Sequence, residues 1–258
     1  MSRHLDGRVA VVTGAGRGIG RATAVALARA GADVACVART ASQLAETAAL
    51  VRAAGRRAQQ IQADIGEPGA PSLIAAKVLA DLGAVDILVN NAATVEPAGP
   101  AAAAGPEDRA RAVAINLTGP VRLTLAVLDA MIKQGYGRIV NVSSAIAAAP
   151  GATPGLNAYA ASKAALEAHT LGLAAELAGT GVTVNIVRPG PVDTAMPAWI
   201  LDQPPAQIGA GLHDRFAAMR DAGLMASPDQ PAGVIADLIT GDSTGQIAGA
   251  DHPATISG

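Results

Sequence analysis

Only two tyrosines occur in the 258 residues of this chain, and one of them, Tyr159, stands four residues before Lys163 in the stretch "NAYAASKAA". On a helix, four residues advance by about 6 Å and turn by about 40° beyond a full revolution, so the phenol and the amine share a face and address one ligand. Such a pair suits proton transfer to or from an oxygen, work that needs an acid with a pKa near the working pH. A free phenol, at about 10, is too weak; a neighbouring ammonium favours phenolate and is expected to lower that value. The bland account of the same two residues is a packed ring beside a surface amine. What accompanies the pair decides between them.

Upstream, "VAVVTGAGRGIGRATAVALARAG" places Gly14, Gly16, Gly18 and Gly20, with Arg17 and Ile19 among them, between an apolar run and a helical one. Glycines let the backbone turn sharply and approach a pyrophosphate, whose charge is met by the free N–H groups and positive dipole end of the next helix. Read from Gly14 the spacing is G-x-x-x-G-x-G; the form G-x-G-x-x-G would need glycine at Ile19. A dinucleotide cofactor is the expectation. Where a carboxylate would hold the adenosine ribose of NAD, at the end of the second apolar run, the chain has Ala38 followed by Arg39. Arg39 and Arg17 offer forked donors suited to a 2′-phosphate, so NADP is expected, with NAD as the alternative.

The elements that position these groups follow from pattern. Short β-rich runs from Arg8, Ala32, Ala58, Val85, Gly137 and Val182, most of them near-continuously apolar, alternate with alanine-rich helical stretches from Arg21, Ser42, Pro71, Glu107, Asn157 and Pro228. That alternation predicts βαβ units in a right-handed, doubly wound parallel sheet, read as one domain over 1–258. Residues 190–228 break the rhythm with prolines, glycines and the only Trp and Phe, and read as an inserted lid. It follows a strand's carboxyl end, which makes Met196, Trp199, Phe216 and Met219 candidates to cover a substrate. With 50% hydrophobic and 16% charged residues and net charge −2, the composition gives no basic footprint for nucleic acid or anionic lipid. No uninterrupted apolar run approaches the roughly 18 residues of a membrane span, and no secretory leader is legible, so a cytoplasmic location is expected. The single cysteine, Cys36, reads as buried packing, and His4, His169, His213 and His252 lack metal-ligand spacing.

Taken in order, "TGAGRGIG" (13–20), Asp64 after the third run, "NNAA" (90–93), Asn116 in "INLTG", "NVSS" (141–144), "YAASK" (159–163) and "RPGPVDT" (188–194) resemble the short-chain dehydrogenases/reductases, in their subgroup of about this length. The resemblance implies a Rossmann-type sheet of about seven strands with helices on both faces. It places Asp64 and Ile65 beside the adenine and Asn90 near the cofactor ribose. Pro189, Val192 and Thr194 fall around the nicotinamide carboxamide, with Ala92 and Gly190 in the same cofactor set. The family's catalytic tetrad falls on Asn116, Ser144, Tyr159 and Lys163. In it Ser144 holds the substrate oxygen, Asn116 positions a water, and Lys163 also holds ribose hydroxyls; Ser143 is the alternative serine.

Departures are visible. "NNAA" has Ala93 where the family has glycine, the stretch 144–159 is about two residues longer than usual, and the ending after "TGQ" lacks a double glycine, unlike the 3-oxoacyl reductases. "RPGPVDTAM" resembles the sepiapterin and benzil reductase branch. The expected activity is a carbonyl or diketone reductase, or secondary alcohol dehydrogenase, forming a homo-oligomer, a tetramer or dimer; the alternatives are a cofactor-sensing protein that has lost catalysis and a 3-oxoacyl reductase. A nucleotide-sugar epimerase or dehydratase fits poorly without a separate sugar domain. Ala145, Ile146, Ala147, Met196 and Trp199 give an apolar substrate pocket with no charged anchor.

Overall fold

The structure, a computed structural model, describes residues 4–249; His252 and the rest of the chain's ending lie outside them. The first half alternates β1 (Val9–Thr13), α1 (Gly18–Arg29), β2 (Asp33–Ala38), α2 (Ala41–Ala53), β3 (Ala58–Gln62), α3 (Ala70–Leu82) and β4 (Ile87–Asn90). A long helical stretch follows as α4 (Pro106–Val113) and α5 (Gly119–Lys133), joined by a π-helical turn at Ala114–Thr118. Next come β5 (Gly137–Val142), α6 (Asn157–Glu176) and β6 (Val182–Arg188). The chain continues through α7 (Ala195–Asp202), α8 (Pro205–Ile208), α9 (Ala210–Asp221), α10 (Asp229–Thr240) and β7 (Ile247–Gly249).

All seven strands are parallel, in the order β3-β2-β1-β4-β5-β6-β7. Strands buried on both faces need apolar residues at successive positions, and β1, β2 and β4 have them; β5 and β6 are buried as fully but include Arg138, Asn141, Thr183 and Asn185. Alternate side chains then feed two cores. Val9 and Val11 join Ile74, Leu123 and Leu173 under α3, α5 and α6; Ala10 and Val12 join Leu27, Leu44 and Ile235 under α1, α2 and α10. The sheet is thus the doubly wound Rossmann-type sheet that the alternation predicts. Its edge strand β3, "AQQIQ", carries polar side chains and buries only Ile61. Cys36 is fully buried and burial pushes its thiol up to about 12, in keeping with packing rather than chemistry.

The helical stretch Pro106–Lys133 is long and apolar enough to cross a membrane by length and composition alone. Leu123, Val127 and Met131 nevertheless lie in the core beneath the sheet, as in any helix that covers a parallel sheet.

Strand order reverses direction at β1 and β4, the point where successive crossovers leave on opposite sides and a crevice opens at the carboxyl ends. Thr13 staples the two ends: its hydroxyl accepts from the backbone N–H of Asn91 (3.0 Å) and Ala92 (3.1 Å), while Asn91 Nδ2 donates to the Thr13 carbonyl (2.9 Å). After β1 the chain passes Gly14, whose φ of +66° favours glycine, and enters α1 at Gly18, three residues before the helix expected from Arg21. The loop packs so closely on the helix that a Cβ at Gly20 would lie 2.2 Å from the Gly14 carbonyl oxygen. Gly20→Ala is therefore expected to cost about 1–3 kcal/mol by overpacking, read as a lower midpoint in urea unfolding.

Candidate active site

A cleft of about 660 Å³ runs along the carboxyl ends of the strands. At one end lie Gly14, Gly16, Arg17, Gly18 and Ile19, then Ala38, Arg39, Asp64 and Ile65. No side chain caps the N-terminus of α1 and no acidic residue stands in its first turn, so its N–H groups are left for an anion. The residues present fit a dinucleotide there. Asp64 is held by Arg111, which also reaches Glu67 at 3.1 Å; Arg39 stands off from Asp64 at 3.9 Å with 67% of its side chain exposed. Ala92 and Ala93 line the middle of the cleft, as do Pro189, Gly190, Val192 and Thr194 opposite them in sequence.

Ser144, Tyr159 and Lys163 line the same middle stretch. Helix α6 starts at Asn157, so Tyr159 sits in its first turn and Lys163 one turn on; the ammonium nitrogen lies 5.8 Å from the centre of the Tyr159 ring. Ser144 ends β5's exit, its Oγ accepting from the Ile146 N–H at 3.4 Å. The two helix groups do not titrate as the spacing alone suggests. Burial pushes the Tyr159 phenol up to about 12, with the Ser144 hydroxyl pulling the other way. The expected lowering by Lys163 is not found: desolvation, which penalises the phenolate, dominates, and the one opposing contribution is the Ser144 hydroxyl.

Lys163 is 2% exposed, donates from Nζ to the Val142 carbonyl at 2.6 Å, and is pushed down to about 8 by burial. Glu167, one further turn along, opposes that shift. This carboxylate is itself buried and takes a forked bond from Arg188 of β6, at 2.8 and 2.6 Å, which with the Ser143 hydroxyl holds its pKa below the usual range despite burial. Glu167 and Arg188 thus complete a buried line of charge behind Lys163. The signal was legible in part: a carboxylate at i+4 from Lys163 shares its face. Its cation comes from another element.

Four expected site residues take other places. Asn90 turns inward, donating to Thr124 Oγ1 (3.1 Å) and Asn141 Oδ1 (2.8 Å), and Asn91 lines the cleft in its stead. A strand residue just before the carboxyl end alternates into the core. Asn116 is fully buried in the π-helical turn; Oδ1 accepts from the Thr94 N–H and Nδ2 donates to the Thr94 carbonyl, both at 2.8 Å, and to Ser162 at 3.1 Å. Its side chain fixes the loop after β4 and does not reach the cleft. Gly20 and Ala147 likewise lie off the lining. Gly20 packs loop against helix, and Ala147 ends a turn of 3-10 helix (145–147) that points its neighbours Ala145 and Ile146 inward.

The far end is walled by Val95, Ile146, Leu156, Met196, Trp199 and Phe216, which pack with Tyr159 and with Ile200 and Leu212 of α7 and α9. The expectation of an uncharged pocket is incorrect: Arg215 and Glu96 also line the cleft. The wall facing α9 includes Ala149, Ala152 and Thr153, from the stretch that is longer than usual.

The model of the short chain dehydrogenase family matches residues 8–204, and the chain belongs to that family. It is 42% identical over 198 residues, 76% of this chain and 63% of the relative, to a short chain dehydrogenase of Pseudocercospora fijiensis. It is 35% identical over 243 residues, 94% and 93% of the two chains, to cis-4-hydroxycyclohexanecarboxylate dehydrogenase of Sinomonas cyclohexanicum. Among solved structures, NAD+-bound xylitol dehydrogenase superposes with TM-score 0.85 at 30% identity, covering 95% of this chain and 98% of that one. A blue fluorescent protein from a metagenomic library, in complex with NADPH, gives 0.83 at 35% identity, covering 96% and 98%. The protein is a nicotinamide-dependent oxidoreductase that transfers hydride at an alcohol or ketone carbon.

Removing one partner of a buried ion pair strands the other. Arg188→Met is expected to destabilise by about 3–5 kcal/mol at neutral pH, and Glu167→Gln/Arg188→Met by much less. Because the Glu167 pKa is depressed in the fold, its contribution is present above the ordinary value of 4.5 and lost as pH falls through the folded value. Urea unfolding at pH 7 and pH 3 should show the gap between wild type and Arg188→Met narrowing in acid.

Proposed function

We propose that the protein is an NADP(H)-dependent reductase of ketones, running in reverse as a secondary alcohol dehydrogenase. The observation that carries the reading is the joining, in one cleft, of an uncapped glycine-turn helix end with Ser144, Tyr159 and Lys163. A nicotinamide cofactor supplies the hydride when bound. The chain supplies the rest. Tyr159, protonated at neutral pH, donates to the oxygen that becomes the hydroxyl, and Ser144 fixes that oxygen by a hydrogen bond. Lys163, its charge favoured by Glu167, stands 5.8 Å from the centre of the phenol ring and would hold ribose hydroxyls. The Asn116 side chain is committed to Thr94 and Ser162, so any water it positions is held through its main chain.

Residues 190–228 supply α7 to α9 as the cover over the substrate, and the apolar wall suits a ketone or diketone with a carbocyclic or aromatic body. The name of the Sinomonas relative, acting on a cyclic secondary alcohol, supports that class. The two structural neighbours carry different cofactors, so preference rests on this chain's residues: Ala38 in place of an acid, Asp64 paired with Arg111, and Arg17 and the exposed Arg39, 3.9 Å from Asp64, in position to meet a 2′-phosphate. Exposed Leu125 and Ile132 on α5 and Leu171 on α6 support a homo-oligomer.

Two experiments test this. Tyr159→Phe should lower kcat by about 10²–10⁴-fold for loss of a general acid, followed as NADPH absorbance across a panel of ketones and 1,2-diketones; unchanged turnover would remove Tyr159 from the chemistry. Arg39→Asp should lower the ratio of kcat/KM for NADPH over NADH by about 10–100-fold, the worth of a charged hydrogen bond. A ratio left as it was would sink the NADP assignment.

A further inference from the structure

Helix α9 lays Phe216 and Met219 toward the substrate end of the cleft, with Leu212 packed behind them, and Arg215 stands on the same lining. Arg215 is solvent-exposed, but its guanidinium is tethered. Its Nη1 donates at 2.7 Å to the carbonyl of Ala152, on the opposite wall. A guanidinium has five N–H donors in a planar fork, so the remaining donors are left for a ligand. Among the described residues Arg215 has no carboxylate partner; Glu96, which also lines the cleft, makes no ion pair with it. The other cations of the lining, Arg17, Arg39 and Lys163, belong to the cofactor end and the centre. An apolar chamber thus ends in one tethered, unneutralised cation.

Resting on the reductase reading above, we infer that the substrate carries a carboxylate at the end of its apolar body away from the reacting carbon, and that Arg215 receives it. Planar bidentate geometry matches a carboxylate in a way that an ester or amide of equal size does not. A contact made equally to ground state and transition state appears in KM and leaves kcat unchanged.

The test compares 4-acetylbenzoate with its methyl ester as substrates, and 4-isopropylbenzoate with 4-isopropylbenzamide as inert ligands in calorimetric titrations, for the wild type, Arg215→Leu and Arg215→Lys. The wild type should favour each acid at least tenfold, through KM and Kd. Arg215→Leu should erase that preference, read as the acid-to-ester ratio of kcat/KM and the acid-to-amide ratio of Kd, and Arg215→Lys should keep part of it. Equal treatment of acid and neutral partner by the wild type overturns the inference, as does a preference that survives Arg215→Leu. Turnover of the ester in those cases leaves the reductase reading standing; selective binding of the inert acid without turnover of either ketone supports the anion site and overturns the reductase reading.

Discussion

A lysine amine held almost wholly out of water must find compensation inside the protein, and the arrangement around Lys163 is built on that requirement. Its nitrogen bonds to the last carbonyl of β5, its charge is favoured by Glu167 one turn along α6, and Glu167 is in turn clamped by Arg188 at the end of β6. Three neighbouring elements are tied by one line of alternating charge. Buried charge of this kind is costly in free energy unless every member is satisfied. The return is orientation, since α6 cannot slide or roll on the sheet without breaking the line, and Tyr159 rides on that helix.

A second, uncharged seam works beside it. Asn90, Thr124, Asn141 and Thr170 link β4, β5, α5 and α6 through side-chain hydrogen bonds inside the core. Apolar contacts between a helix and a sheet tolerate small shifts, whereas bonded polar groups in a low-dielectric interior do not. Together the two seams turn a generic α/β core into a fixed platform for the groups at its carboxyl end.

Much of this was legible in the sequence. The alternation of short β-rich runs with helix-length alanine-rich stretches predicts the parallel sheet and its winding, and α6 begins at the residue expected, Asn157. The glycine turn, Tyr159, Lys163 and Ser144 meet in the cleft as their motifs implied. What escaped depends on contacts between distant segments. Asn116 and Asn90 carry the right residue types, yet their side chains are used by Thr94 and Asn141, partners 22 and 51 residues away. The direction of the Tyr159 shift failed for a related reason, because local spacing shows a charge nearby and says nothing of desolvation. Arg215 carries no sequence signal of its own; it reaches the cleft only because α9 lies over it.

The glycine turn and the adenosine-side residues come from the first 65 positions and are built into the sheet itself, whereas the far wall, Val95 apart, comes from two excursions, 145–156 and 195–219, that leave the sheet and return. Neither excursion contributes a strand. Residues can be inserted, deleted or exchanged in them without altering the register of β5, β6 or α6. The hydride-transfer apparatus and the choice of molecule presented to it are therefore separable along the chain, and lineages of this architecture are free to diversify in diet while leaving the engine untouched.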